Sequence, residues 1–470
     1  MERYWKGFSN PNNPDTVLPP TITPNSSLVN FPFTCEDLVK AIDEVHASSS
    51  SPDFSVPAIV LKKCKYSLAK PLYLLWKESL NTGTVPAAYK SQLVTPVFKK
   101  GSRSKASNYR PISLTPHKIK VFERIICDKV IEYLERNSIL SSKQHGFRKG
   151  RSCLTQLLQQ YDRILLNLLE YQETDSIYLD YAKAFDKVDH QILIQKLKNI
   201  GIGGNLCKWV ENFLHDRKQV VVVDGVLSSI ANVLSGVPQG TVLGPLLFLI
   251  FSNDMENFVG SSSIGLFADD TRLSKAISQS SDSCYLQKDL ESITKWSIEN
   301  NMKLHEDKFV YMNFNTRSKK FPLANLPFFP ENFSYITAEG LVLEPSESVL
   351  DLGVILTEDL KWSSHVHSII KTAKRKAGWS LSIFKDRSPL VMKTLYKSII
   401  RSHLEYACPL WLGLSKEDTQ AIEAIQRSFT NKINCPANVQ NYWDIDLFSL
   451  NLCPYKGVGN VTQSYTCGKF

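Results

Sequence analysis

Three aspartates have the spacing with the most chemical meaning. Asp180 closes a short β-prone run, Ser176-Ile177-Tyr178-Leu179, and Asp269 and Asp270 stand together 89 and 90 residues later. There, a strand-like stretch at 264–268 breaks before Thr271-Arg272-Leu273 resumes the alternation, so the segment reads as a hairpin with two acids at its tip. If the hairpin neighbours the earlier strand, three carboxylates converge at one end of a sheet. They repel one another unless cations lie between them, and hard oxygen donors select Mg²⁺ or Mn²⁺. Two such ions about 3.5 to 4 Å apart would activate a hydroxyl nucleophile and stabilise the leaving group of an in-line phosphoryl transfer. An Asp-Asp pair in a surface turn is common and alone says little.

The elements that must position these acids can be read from periodicity. Thr34 is placed to cap a helix beginning Cys35-Glu36-Asp37-Leu38, and helical patterns alternate with short loops to about residue 81. Residues 115–136 carry Ile119, Phe122, Ile126, Val130 and Tyr133 at helical spacing. Ser152 caps a second helix whose Leu154, Leu157, Leu158, Tyr161, Leu165 and Leu168 form one apolar stripe, read as core. A valine-rich strand is expected at 219–224, and three more helices at 364–379, 389–404 and 416–433. No internal repeat is visible.

With 470 residues, 43% hydrophobic and 21% charged, the chain has the composition of an ordinary globular protein with two to four lobes, which excludes a disordered, collagen-like or coiled-coil whole. A net charge of +9 suits a polyanionic partner, and its distribution in clusters at 62–65, 99–105, 148–151, 317–320 and 371–376 suits a surface that tracks a phosphate backbone. Any one of these clusters could equally be a solvated face. The ten cysteines form no C-x-x-C pair, so neither a zinc ribbon nor a disulfide framework is expected and a reducing compartment is. The longest apolar run, 242–251, contains Gly244 and Pro245 and is far shorter than the roughly 20 residues of a membrane span. No signal peptide is expected.

Three segments in order carry a family resemblance. They are Leu179-Asp180-Tyr181-Ala182-Lys183-Ala184-Phe185-Asp186, then Gly236-Val237-Pro238-Gln239-Gly240-Thr241-Val242-Leu243-Gly244-Pro245, then Phe267-Ala268-Asp269-Asp270. They resemble the A, B and C motifs of reverse transcriptases. Flanking stretches narrow the likeness: Asn108-Tyr109-Arg110-Pro111-Ile112-Ser113-Leu114, Gln144-His145-Gly146-Phe147-Arg148-Lys149-Gly150-Arg151-Ser152, Leu352-Gly353-Val354, His403-Leu404-Glu405-Tyr406 and Ile425-Gln426-Arg427. Together they resemble the polymerase of a non-LTR retrotransposon of the jockey or CR1 type, over about residues 50–445.

The resemblance implies an α+β right-hand polymerase with helical fingers, an antiparallel-sheet palm and a helical thumb. It implies RNA-directed DNA synthesis with two Mg²⁺ ions (Mn²⁺ as the alternative) on Asp180, Asp269 and Asp270, and an RNA template, a DNA primer and dNTPs as partners. Phe185 matches the aromatic gate that excludes a 2′-hydroxyl, although a buried core aromatic would look the same. Gln239 and Gly240 match the turn along the nascent base pair, where glycine permits close backbone approach. Lys99 or Lys100, with Arg110, sits where these enzymes clamp the triphosphate. Lys308 matches the lysine proposed to protonate the leaving pyrophosphate, with His305 and Phe309 as departures from the usual pattern. Arg148 and Arg151 are expected on template or primer phosphates, with surface salt bridges as the competing reading.

The expected organisation is a tether over 1–35, a helical N-terminal extension over 36–90, fingers and palm over 91–345, a helical thumb and C-terminal region over 346–445, and a degenerate tail over 446–470. That tail departs from the family's ending, and its codons can be chosen so that reading two bases on restores the family stretch, so it reads as a frameshift. No endonuclease or ribonuclease H domain is recognised, so target priming would need a separate endonuclease. An intracellular location, nuclear and cytoplasmic, is expected. Two rivals remain at this stage: a catalytically inactive nucleic-acid-binding remnant of a decayed element, and an RNA-dependent RNA polymerase, which Phe185 disfavours.

Overall fold

The computed structural model describes residues 18–21, 24–49, 56–170, 172–315, 333–411 and 414–432. The first seventeen residues, the basic cluster at 317–320, the end of the expected thumb and the tail at 446–470 lie outside the described residues. Among the described residues the order of the main elements is α1 (Cys35–Glu44), α2 (Ala58–Lys63), α3 (Lys65–Thr82), β1 (Ser91–Phe98), β2 (Tyr109–Leu114), α4 (His117–Arg136), α5 (Cys153–Leu169) and β3 (Glu173–Leu179). Next come α6 (Ala184–Lys187), α7 (His190–Asn199), α8 (Gly204–Leu214), β4 (Arg217–Val223), β5 (Val226–Leu227), β6 (Ala231–Val233), α9 (Leu243–Ser252), β7 (Ser263–Phe267), β8 (Asp270–Ile277) and α10 (Ser280–Glu299). The chain continues with β9 (Val310–Phe314), hairpins β10 (Tyr335–Ile336) with β11 (Val342–Leu343) and β12 (Ser348–Asp351) with β13 (Val354–Thr357), and then α11 (Ser363–Ile383). Helix α12 (Pro389–Leu395) runs through a π-helical turn at Tyr396–Arg401, and α13 (Lys416–Thr430) follows. The class is α+β. None of these helices is long and apolar enough to cross a membrane.

Local chemistry explains the ends of the helices. Thr34 and Ser152 each build a capping box at α1 and α5, satisfying orphan backbone donors from within the sequence. Helix α9 is apolar on every side, and all of its residues except Pro245 are buried, so it can only lie inside the molecule. It packs against α4 and α7 in the largest core, which includes Trp76, Phe122, Trp209 and Trp296. A second core joins α11, α12 and α13 to β9, to the β12–β13 hairpin and to one face of α5.

The sheet that concerns function has strand order β7-β8-β3-β9 and is antiparallel throughout. Its register pairs Leu179 with Thr271 and Phe267 with Asp270.

Four features differ from the sequence reading. The region expected to hold helical fingers carries a five-stranded sheet, in which β1 pairs antiparallel with β2 and parallel with β4. Pro96 and Pro111, directly opposite each other in that pairing, break the strand signal because proline is disfavoured in sheets. The region from 346 is not helical at once, since the β12–β13 hairpin precedes α11. The apolar stripe of α5 is rotated from the expected one: Leu157 and Ile164 are buried, whereas Leu158 and Leu165 are exposed. The described part of the expected tether is docked: Leu28 bridges Ile202, and Phe31 and Phe33 are buried, Phe33 against Tyr73 and Phe122 and Phe31 against Phe33. Two aromatic side chains offset the ordering cost of an otherwise polar segment.

A buried ion pair spans the two cores. Arg272 on β8 donates to Asp351 on β12 at 2.7 Å, with both side chains less than a tenth exposed. Breaking such a pair from one side leaves an uncompensated buried charge. Asp351→Ala should therefore destabilise the fold by about 3 kcal/mol, and the double replacement Arg272→Met with Asp351→Leu by distinctly less. Urea denaturation of the three proteins checks this; equal costs for the single and double variants would refute it.

Candidate active site

Asp180 follows the last residue of β3, and Asp270 opens β8, so strand pairing brings the two acids to the same end of neighbouring strands. The hairpin tip is Ala268-Asp269, with Ala268 at φ +56, an unfavourable value for a residue with a Cβ. A neighbouring segment enforces it. The side-chain oxygen of buried Gln144 accepts from Ala268 N at 3.0 Å and from Gly146 N at 2.8 Å. Backbone bonds Leu266 N to Lys143 O (3.1 Å) and His145 N to Leu266 O (2.9 Å) lay residues 143–146 along β7. A Cβ on Gly146 would come within 2.5 Å of Ala268 N, so only glycine allows this approach.

The electrostatics report the convergence. Burial pushes the Asp270 carboxyl up to about 6, with further increments from Asp269, Asp351 and Asp180, while Lys99 opposes. Asp270 keeps one side open to solvent, so its desolvation is partial. Burial also raises Asp269, the charge of Asp180 adds to the shift, and Lys99 and Arg110 lower it. Asp180 itself accepts from Lys308 Nζ at 2.5 Å, and its backbone oxygen accepts from His305 N at 2.8 Å. A cavity of about 170 Å³ lies beside these groups, lined by Asp180, Asp270, Lys308, Leu350, Asp351 and Leu352 among others.

Lys99 and Arg110 stand near the two ends of the β1–β2 connection, both exposed. The charge of Lys99 lowers the carboxyls of both tip acids, a smaller influence than burial and the neighbouring carboxylates. Gln239 donates from Nε2 to Asp186 Oδ1 at 2.9 Å, and its backbone oxygen accepts from Ser113 N at 2.6 Å. Gly240, at φ +109, leaves no room for a Cβ, which would meet Ser113 O at 2.5 Å. The Phe185 ring stacks on Phe248 at 4.4 Å, and the Phe147 ring lies 6.2 Å away, perpendicular to it at 86°.

Arg148 and Arg151 meet partners within the protein, and for Arg148 these include the salt bridge that was its competing reading. Arg148 makes a bidentate pair with Glu135 (2.9 and 2.7 Å) and donates to Ser141 O at 2.6 Å, with its side chain 9% exposed. Arg151 donates to Ser142 O at 2.8 Å and lies 2.8 Å from His145 Nε2. Both brace the loop that carries Gln144.

A family model described as reverse transcriptase (RNA-dependent DNA polymerase) matches residues 97–356. The chain belongs to the reverse transcriptase family. It is 29% identical over 368 residues to a probable RNA-directed DNA polymerase from transposon X-element of Drosophila melanogaster, covering 76% of this chain and 39% of that protein. It is 28% identical over 377 residues to the RNA-directed DNA polymerase from mobile element jockey of Drosophila funebris, covering 77% and 40%. Against the probable polymerase from transposon BS of Drosophila melanogaster it is 24% identical over 431 residues. These agree with the non-LTR, jockey-type resemblance of the motifs. The chain spans about two fifths of the length of the first two relatives.

Reverse transcriptases generally use divalent metal ions. The donors here suit one chemically: hard carboxylate oxygens whose mutual repulsion raises their protonation. Among the described residues no three acid, histidine or cysteine side chains already close into a metal cage. Asp180 is turned onto Lys308 instead, so this site would have to exchange an ammonium for a metal.

Gln144, Gly146 and Asp186 were not singled out from sequence. Their signal is positional: each lies inside a stretch quoted for the family resemblance, and its role appears only when that stretch meets another.

Because Asp270 has a folded pKa above its unfolded value, ionising it opposes folding as pH rises from about 4 to about 6, and the penalty persists above. Asp270→Asn should therefore raise metal-free stability above pH 6, by about 1 kcal/mol or less after screening, and lose that gain below pH 4. Thermal melting across pH checks it; a gain that grows on acidification would refute it.

Proposed function

We propose that the chain is the polymerase portion of a non-LTR retrotransposon protein, adding deoxynucleotides to a primer 3′-hydroxyl on an RNA template. The observation that carries the reading is the placement of Asp180, Asp269 and Asp270 at one sheet end, with Lys99 and Arg110 at the β1–β2 connection lowering the carboxyl of Asp269. In right-hand terms the β7-β8-β3-β9 sheet is the palm, the β1–β2 hairpin belongs to the fingers, and α11 to α13 form the thumb, with the boundary near residue 346.

Asp180, Asp269 and Asp270 would hold the metal ions, which when bound supply positive charge to the attacking hydroxyl and the leaving pyrophosphate. The chain's own groups do the remaining work. Lys99 and Arg110 bind the triphosphate and offset its charge. Phe185, backed by Phe248, presents an apolar wall under the sugar and excludes a 2′-hydroxyl. Gln239, held by Asp186, and Gly240 lie along the nascent pair. Lys308, released from Asp180, carries a proton on Nζ for the departing pyrophosphate. Grip on the RNA–DNA duplex is through backbone and A-like shape, so it should weaken with salt.

Primer extension on an RNA template with dNTPs and Mg²⁺ should give full-length DNA. Asp269→Asn should lower the rate by about 10³-fold or more, and removal of Mg²⁺ by a chelator should abolish synthesis. Extension unchanged by Asp269→Asn would refute the assigned chemistry, and template binding without any extension would favour the inactive remnant.

A further inference from the structure

We propose that Phe147 is a positioning residue for sugar discrimination: its ring, set perpendicular to Phe185, restrains the gate, and the strap that carries it is bonded to the hairpin of Asp269 and Asp270. The inference rests on the reading of Phe185 as the sugar gate.

Phe185 has two aromatic neighbours with different geometry. Phe248 lies beneath it at 4.4 Å with the planes 18° apart, whereas Phe147 stands perpendicular to it at 6.2 Å and 86°. A stacked partner fixes the plane of a ring but resists sliding within that plane poorly, because offset stacking tolerates a range of displacements. A perpendicular neighbour adds a second restraint, because displacing Phe185 also changes its contact with Phe147. Together they hold the ring on two axes.

Phe147 is also held in an unusual way. It is 51% exposed, and its backbone sits at φ +53, a conformation that a bulky side chain adopts only when its surroundings impose it. Those surroundings are on both sides of it. Gly146 is pressed against Ala268, with Gln144 accepting from both their N–H groups. Arg148 is clamped by Glu135 and Ser141 O. Residues 144–148 therefore form a short rigid strap. One end is bonded to the tip that carries Asp269 and Asp270, and its exposed ring rests on the gate. Exposure of a single phenylalanine means little. An exposed phenylalanine in a left-handed conformation, on a strap joining two parts of one site, has been placed.

The consequence concerns selectivity. An apolar wall rejects one added hydroxyl only to the extent that it cannot yield, and such walls reach about 10²-fold discrimination. A gate free to slide would lose part of that factor.

Phe147→Gly removes the ring and suits the backbone angle, so the strap should survive; Phe147→Tyr keeps the ring. On an RNA template with a DNA primer and Mg²⁺, kcat/KM is measured for each dNTP and its matching NTP. The wild type and Phe147→Tyr should share one dNTP/NTP ratio. Phe147→Gly should shift it about 10-fold toward ribonucleotides, mainly through a lower KM for NTPs. A ratio unchanged in Phe147→Gly, in a protein whose ratio does respond to Phe185→Ala, would overturn the inference and leave the gate reading intact. A ratio that responds to neither substitution would overturn both. A wild-type protein that incorporates no dNTP would remove the polymerase reading beneath them.

Discussion

Like charges held together are the constraint on which this architecture turns. Three carboxylates at one sheet end raise the free energy of the folded chain, and the surrounding structure is arranged to tolerate them. Lys308 acts as a built-in counter-ion for Asp180, reaching it from the 3₁₀ turn Glu306–Lys308. Lys99 and Arg110 lower the carboxyl of Asp269 from the far side of the cleft. Burial of Tyr181 and Leu266 next to the acids prevents the cluster from relaxing by separating. A site built this way has an electrostatic deficit that a cation relieves, and the same deficit keeps the metal-free protein less stable than its core would allow.

The second dependence is backbone approach. Two sheets and one buried helix meet around the cleft through glycines that admit a neighbouring main chain: Gly146 against Ala268, Gly236 against Asp186 and Gly240 against Ser113. These contacts transmit position between elements far apart in sequence. Asp186 shows the economy of the arrangement, since its backbone oxygen accepts from Ser235 and its carboxylate orients Gln239. A methyl group at any of the three glycines would force main chains apart, moving a site residue without touching it.

Much of the fold was legible because its signals were local. Hydrophobic period located α4 and α5, capping residues located the starts of α1 and α5, and the strand–turn–strand pattern placed Asp269 at the hairpin tip. The misses have physical causes. Pro96 and Pro111 disguise β1 and β2, which pair all the same because the two prolines face each other. The burial of Phe31 and Phe33 is a tertiary event that polar neighbours conceal. Of the site residues, the acids, Phe185, Gln239 and Lys308 could be named from chemistry and resemblance together. For Arg148 and Arg151 sequence left phosphate and salt bridge side by side, because a guanidinium near a cleft reads the same whether it faces phosphate or the protein's own groups. In this structure their partners include Glu135, Ser141 and Ser142.

Ten non-glycine residues among those described have positive φ, and four of them, Phe147, Lys183, Ala268 and Leu352, border the carboxylates, the gate or the adjoining cavity. Strained backbone persists where surrounding contacts over-determine it. At Ala268 the determinant is Gln144, at Phe147 it is the strap on either side, and at Leu352 it is Tyr406, whose hydroxyl donates to the Leu352 carbonyl at 2.7 Å. These contacts come from two separate segments: the loop before α5 for the first two and the segment after α12 for the third. The strain is thus stored at the seams where separate parts of the chain meet, so the spacing of the site is set by those parts jointly and not by any one hairpin folding alone.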